Sequence, residues 1–174
     1  MANRTPEPVT DALLILPAGR TARLRLRALR FDDAEALRAL TDDAAIAAAI
    51  PFIPHPFTLA DARAFIAQGD GGRDVFVGVW NKDGAFIGVI GVHLRGETEA
   101  EIGYWFGTAF HGQGYASEAV GAVVAAVRGC LPHRRVYAEC RPANRSSWRV
   151  LEKAGFRPTG EDGERPGRKR LVLG

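Results

Sequence analysis

The sequence predicts an α/β (α+β) fold in which helices cover both faces of a central mixed β-sheet. Three observations carry that expectation. Two runs rich in Val, Ile and Phe, Asp74 to Trp80 and Ala85 to Arg95, are apolar on both faces and bracket the turn Asn81-Lys82-Asp83-Gly84. A strand, a glycine-rich turn, a helix and a second strand follow one another between Glu99 and Cys140, the order of a parallel crossover unit. Capping patterns mark helices earlier in the chain. Strands apolar on both faces have to be covered on both, which calls for helices on either side.

The elements follow in order. Leu13 to Leu16 and Thr21 to Leu29 favour strand, the second with Leu24 and Leu26 alternating against Arg23, Arg25 and Arg27. Asp32 followed by Glu35 makes a capping-box pattern, and Ala34, Leu37 and Leu40 recur at helical spacing up to about Asp42. The alanine-rich run through Ile50 predicts a short helix. Pro51, Pro54 and Pro56 then break the chain into an irregular loop bearing Phe52, His55 and Phe57. Thr58, with Asp61 three residues on, caps a helix whose apolar face is Ala62, Phe65 and Ile66. After the hairpin, Glu99 to Phe106 predicts a strand, Val120, Val123, Val124 and Val127 a helix, and Arg135 to Cys140 a strand. Asn144 caps the last helix, Gly155 and Phe156 terminate it, and Leu171 to Leu173 closes as a strand after a turn around Gly160 to Gly167.

Composition bounds the function. At 174 residues, 47% hydrophobic and 25% charged, without repeat, low-complexity segment or linker, the chain reads as one domain over 1–174. All but three of its 23 basic residues are arginine, the formal charge is +3, and the isoelectric point is near 9.2. A mildly positive surface suits a phosphorylated ligand better than a nucleic acid, although an ordinary solvated arginine-rich surface accounts for the same numbers. Cys130 and Cys140 make neither a disulfide framework nor a zinc site, consistent with a reduced cytoplasm. Met1 to Asp11 lacks the pattern of a secretion signal, and no apolar run reaches the roughly 20 residues of a membrane span. No nucleic-acid or membrane partner is expected.

The chemistry concentrates in His111-Gly112-Gln113-Gly114-Tyr115-Ala116-Ser117-Glu118-Ala119, after a strand and at the start of a helix. Glycines let backbone N–H groups approach an anion, and the helix start adds about half a positive charge, which suits a pyrophosphate. The plain alternative is a tight turn without a ligand. A dinucleotide fold fits poorly, because Ser117 occupies the third glycine position and the unit follows an antiparallel hairpin. A Walker loop would need Gly-Lys-Ser/Thr, which this stretch does not contain.

With His111, Gly114 and Ala116 at the positions of the pyrophosphate loop, the chain resembles the GNAT acyltransferase superfamily, and within it the Rim-type ribosomal-protein N-terminal acetyltransferases. Arg23 to Arg30 with Asp33, Glu101 to Trp105, Asn144 to Ser147 and Glu152 to Phe156 carry the same resemblance. His111 stands where Gln or Arg is commoner. The resemblance implies a splayed mixed sheet holding acetyl-CoA as co-substrate and requiring no metal. Backbone near Trp105 and Phe106 would pair with pantetheine, and Gly112, Gln113, Gly114, Tyr115 and Ala116 would hold the pyrophosphate. Asn144 matches a cofactor-contacting position, and a cap alone explains it equally well. It further implies acetyl transfer to a primary amine by direct attack, the acceptor being a protein N-terminal α-amine. The alternatives are a small amine such as a polyamine, amino acid or antibiotic, or a silent acyl-CoA sensor. Small enzymes of this kind often form homodimers.

For catalysis the resemblance offers Ser147 as proton donor to the departing thiolate. Ser147, Val150, Leu151 and Ala154 fall at i, i+3, i+4 and i+7, so the hydroxyl shares the inward helix face. Ordinary hydrogen bonding near the helix start is the competing reading. Glu101, then Glu99, is the candidate base, on one side of its strand by period two. A solvent-facing pair is the plain alternative. Some relatives place a glutamate after the final Gly-Phe, where this chain has Thr159 and carries acids only at Glu161, Asp162 and Glu164. His55 and Phe57 are candidate acceptor contacts, Tyr137 and Cys140 read as strand residues, and His93 as structural or surface.

Overall fold

The first strand, β1 (Leu24–Ala28), buries Leu24 and Leu26 and turns its arginines away from the core, as the alternation predicts. The computed structural model describes residues 19–69 and 72–174; the Leu13–Leu16 run lies outside them. A 3-10 turn, Phe31–Asp33, leads into α1 (Ala34–Thr41). Here the expectation of an Asp32–Glu35 capping box is corrected. Asp33 organises the turn, accepting the Arg30 N–H at 2.8 Å and both arms of the Arg27 guanidinium at 2.7 Å. Glu35 instead pairs with Arg38 one turn on. Burial disfavours the Asp33 carboxylate, but the Arg27 fork and the Arg30 N–H outweigh it and hold its pKa below the usual range.

Helix α2 (Ala44–Ala49) is the short alanine-rich helix, capped by Asp43. Helix α3 (Leu59–Gln68) carries the Thr58–Asp61 capping box in full. Strands β2 (Asp74–Asn81) and β3 (Phe86–Arg95) form the expected hairpin, and β4 (Glu99–Phe106) adds to it antiparallel. Helix α4 (Tyr115–Cys130) crosses over to β5 (Arg135–Cys140), which lies parallel to β4. Helix α5 (Arg145–Lys153) follows. β6 (Phe156–Asp162), which the sequence pattern did not mark, then pairs with β7 (Lys169–Leu173).

Among the described residues seven strands run β1-β2-β3-β4-β5-β7-β6 in one mixed sheet. On one face, Ala119, Val120, Val123, Val124 and Val127 of α4 and Leu151 of α5 pack on Ile90, Ala100, Ile102 and Phe106. On the other, Leu37 of α1, Ile46 of α2 and Phe65 of α3 close over Phe76, Val89 and Trp105. This is the two-sided cover that apolar-faced strands demand. Among the described residues no helix is long and apolar enough to cross a membrane.

Candidate active site

Parallel pairing of β4 with β5 is limited to Glu99–Glu101 against Arg135–Tyr137. Beyond that point β5 pairs with β7 through Cys140, while β4 continues to Phe106 beside β3. The two strands splay, and among the described residues the β4 backbone after Glu101 has no strand partner on its β5 side. A cleft of about 770 Å³ opens there, lined by Ile102 to Phe106, the glycine turn, Ala138 to Arg141 and the start of α5, with α2 across its mouth.

The glycine turn sits at the head of α4. Gly112 and Gly114 adopt φ of 74° and 80°, a region side-chain-bearing residues rarely enter, and Gly114 is the N-cap of the helix. The first N–H groups of α4 therefore face the cleft with no cap side chain over them. His111 folds back to place Nε2 2.9 Å from the Phe106 carbonyl, and Gln113 donates to the Ala109 carbonyl at 3.1 Å. Their side chains brace the turn. A latch from β1 holds it as well: Glu118 accepts from Thr21 Oγ1 (2.5 Å), Arg23 N–H (2.9 Å) and Arg23 Nε (2.7 Å). Arg23 also donates to the Gln113 carbonyl at 2.9 Å and lies 4.8 Å over the Tyr115 ring.

Ser147 lines the cleft from the first turn of α5. Its N–H donates to Asn144 Oδ1 at 3.1 Å, so Asn144 is a helix cap as well as a cleft-lining residue. The Ser147 hydroxyl lies 2.8 Å from Tyr104 Oη, which also reaches the Ser147 carbonyl at 3.0 Å. Sequence reasoning missed Tyr104. The available signal was a phenol on the β4 face otherwise occupied by Ala100, Ile102 and Phe106. Burial pushes the Tyr104 phenol well above its ordinary value, so it stays protonated. Burial likewise raises the Cys140 thiol, with the Ser147 hydroxyl pulling the other way.

The remaining candidates are placed elsewhere. Glu101 is buried on the opposite face of β4 from Tyr104, does not line the cleft, and is gripped by Arg95 at 2.9 Å and Arg165 at 2.5 Å. Glu99 pairs with Arg170. Both carboxylates are engaged in ion pairs, Glu101 with two arginines and Glu99 with one. Phe57 is 4% exposed and belongs to the core beside Ile53 and Phe65, and His55 lies 3.2 Å from Asp42. Neither lines the cleft. Trp105 buries its ring on the α1–α3 face and donates Nε1 to Thr41, leaving its backbone at the cleft. His93 is structural, 2.8 Å from Asp74. Among the described residues no cluster of His, Cys, Asp and Glu is arranged to hold a metal.

A family profile described as an acetyltransferase (GNAT) domain matches residues 23–157. The chain is 32% identical over 143 residues to the uncharacterized N-acetyltransferase YnaD of Bacillus subtilis, covering 80% of this chain and 82% of that protein. It superposes on the ribosomal L7/L12 α-N-protein acetyltransferase RimL bound to coenzyme A, with a TM-score of 0.77 at 20% identity over 90% of this chain and 96% of the other. It also superposes on spermidine N-acetyltransferase of Vibrio cholerae in complex with CoA and spermine, with a TM-score of 0.73 at 17% identity over 88% and 96%.

The chain belongs to the GNAT acetyltransferase family. Within it, this protein is an N-acetyltransferase dependent on acetyl-CoA. Its residues fit that co-substrate: an unpaired strand edge suits an amide-bearing arm, and an uncapped helix start behind two positive-φ glycines suits a pyrophosphate.

Proposed function

We propose that this enzyme acetylates the α-amine at the N-terminus of a peptide or protein, as the Rim-type resemblance implies, by direct attack in a ternary complex. The observation that carries the proposal is that, among the described residues, the cleft offers no free carboxylate. Glu139 is the one carboxylate among the described lining residues, and its two oxygens accept from Glu164 N–H, Arg165 N–H and the Arg165 guanidinium. With no base waiting, the acceptor has to arrive neutral. An α-amine of ordinary pKa ~7.7–8.0 is about one-quarter to two-fifths neutral at pH 7.5, whereas an alkylamine of pKa ~10.4 is neutral in about one molecule per thousand. That difference of about 200–300-fold favours the α-amine. A polyamine would also bring further ammonium groups against Arg141, Arg149, Lys153 and Arg168, which line the same cleft.

Acetyl-CoA supplies the acetyl group as a thioester. Attack forms the new C–N bond, the C–S bond breaks, the nitrogen loses a proton to solvent, and the sulfur gains one. In this reading the Tyr104–Ser147 pair gives that proton, which is supported by their 2.8 Å contact, across which either oxygen can donate, and by the position of Ser147 on the cleft lining. Asn144 and Tyr104 together hold the serine in place.

The test is coenzyme A release at pH 7.5 against peptides with free and blocked N-termini, polyamines, amino acids and aminoglycosides, with the products identified by mass. Acetylation confined to free N-termini is expected, with kcat/KM rising through the pKa of the acceptor's own amine. Preferential turnover of a polyamine would overturn the proposal.

A further inference from the structure

The geometry points to an acceptor whose α-amine is accompanied by a carboxylate, specifically a peptide with Asp or Glu in its first two positions, read by the guanidinium of Arg168. This inference rests on the N-terminal acetyltransferase reading and deepens it.

Arg168 ends the loop between β6 and β7. One arm of its guanidinium reaches the Glu139 carbonyl on β5 at 3.2 Å, and the other reaches the Ala49 carbonyl at the end of α2 at 3.3 Å. It thus bridges the mouth of the cleft on the α2 side, while the glycine turn and Ser147 occupy the α4–α5 side. A co-substrate anchored on the glycine turn leaves the α2 side for the acceptor. The two carbonyl contacts use two of the five guanidinium N–H groups, so three are left for a ligand.

Arg168 has no ion-pair partner among the described residues. Arg27, Arg95 and Arg170 each have a carboxylate partner, but no described carboxylate lies within ion-pair distance of Arg168. Burial, then repulsion from Arg165 and Arg141, lowers its pKa, and Cys140 and Glu139 offset this only in part. The Glu139 carboxylate makes its own hydrogen bonds to the backbone of Glu164 and to Arg165 and none to the Arg168 guanidinium. An arriving carboxylate would meet a planar donor fork with no competitor, the arrangement in which Arg–carboxylate pairing is strongest.

The guanidinium is also held in position before any ligand arrives. Gly163 N–H donates to the Arg168 carbonyl at 2.8 Å, and Arg168 N–H to the Arg165 carbonyl at 3.2 Å, closing the loop on itself. The Glu139 carboxyl seats against Gly163 so closely that a Cβ there would fall 2.7 Å from its carboxyl carbon. Little ordering of the loop is left for the acceptor to impose.

The experiment measures kcat/KM of the full chain with acetyl-CoA on peptides identical except at the first two positions, comparing Asp with Asn, Glu with Gln, and Lys at the same positions, alongside free aspartate and glutamate. The proposal expects acidic peptides to exceed their amide isosteres by about tenfold or more, a ratio that shrinks as KCl is raised, and Lys peptides to be poorest. Arg168→Gln should bring the acidic-to-amide ratio toward one, and Arg168→Lys should retain part of it. The salt series on the unaltered protein gives the same information should a variant not fold. Equal turnover of acidic and amide peptides, or a ratio unchanged in Arg168→Gln, would overturn the Arg168 assignment and leave the N-terminal reading standing. Acetylation of free aspartate or glutamate but of no peptide would overturn the peptide acceptor. Turnover of polyamines alone would overturn both.

Discussion

Glu118→Gln keeps the side chain's shape and removes the charge that latches β1 to the head of α4. The carboxylate accepts from Thr21, the Arg23 N–H and Arg23 Nε, and through Arg23 the latch extends to the Gln113 carbonyl inside the glycine turn. A hydrogen bond to a charged group nets about 1.5–3 kcal/mol, but Arg23 is 42% exposed, so solvent screening leaves about 1–2 kcal/mol. If that energy orders the turn for its ligand, KM for acetyl-CoA rises about 5–30-fold, taking ~1.4 kcal/mol per tenfold. The kcat should stay nearly constant, because the latch touches neither Ser147 nor Tyr104. Steady-state kinetics with acetyl-CoA and with S-acetylpantetheine, which lacks the pyrophosphate, make the assay. The variant should lose affinity for the first and keep its KM for the second. Equal losses on both, or a fall in kcat alone, would refute the view that Glu118 acts through the phosphate-facing turn.

Other consequences are as direct. Ser147→Ala and Tyr104→Phe should each lower kcat, by about 10²-fold if the pair is the proton source, while acetyl-CoA affinity measured by calorimetry stays put. Phe57→Ala should cost about 3–5 kcal/mol of stability, as expected of a core aromatic, and reduce Tm; a stability near that of the parent would place Phe57 back among the surface contacts. Asp33 and Glu118 have folded-state pKa values below their ordinary ones, so their stabilisation is present above the unfolded values near 4 and is lost as pH falls through the lowered ones. Tm should therefore drop below about pH 4 and do so less steeply in Glu118→Gln, measured by thermal unfolding across pH.

The elements written most plainly in the sequence are those whose signals are local. The Asn81–Gly84 turn, the Thr58–Asp61 box, the valines of α4 and the Asn144 cap each depend on residues within a few positions of one another, and each appears as expected. What local reading misassigned depends on distant partners. The local pattern favours Asp32, which has Glu35 three residues on, and the reach of Arg27 across the turn selects Asp33 instead. The alternation along β4 gives the correct face for Glu101, but Arg165 arrives on it from the far end of the chain and turns a candidate base into half of an ion pair. Phe57, among prolines, carries no periodic signal of whether it points in or out. Tyr104 and Arg168 escaped notice for the same reason: a phenol in a strand and an arginine in an arginine-rich tail acquire meaning only from Ser147 and from the α2 carbonyl beside them.

The early end of the β4–β5 ladder has a consequence for how the protein lives among other chains. An unpaired strand edge on the rim of a sheet recruits other strands, and proteins spend charges, prolines and bulges to prevent it. Here the unsatisfied edge is interior, beside β5 and lined by residues of α2 and α5. The hydrogen-bonding capacity of β4 is therefore turned toward the cleft and a cofactor arm that carries amides, and not toward the rim of the sheet, where a neighbouring chain would add a strand.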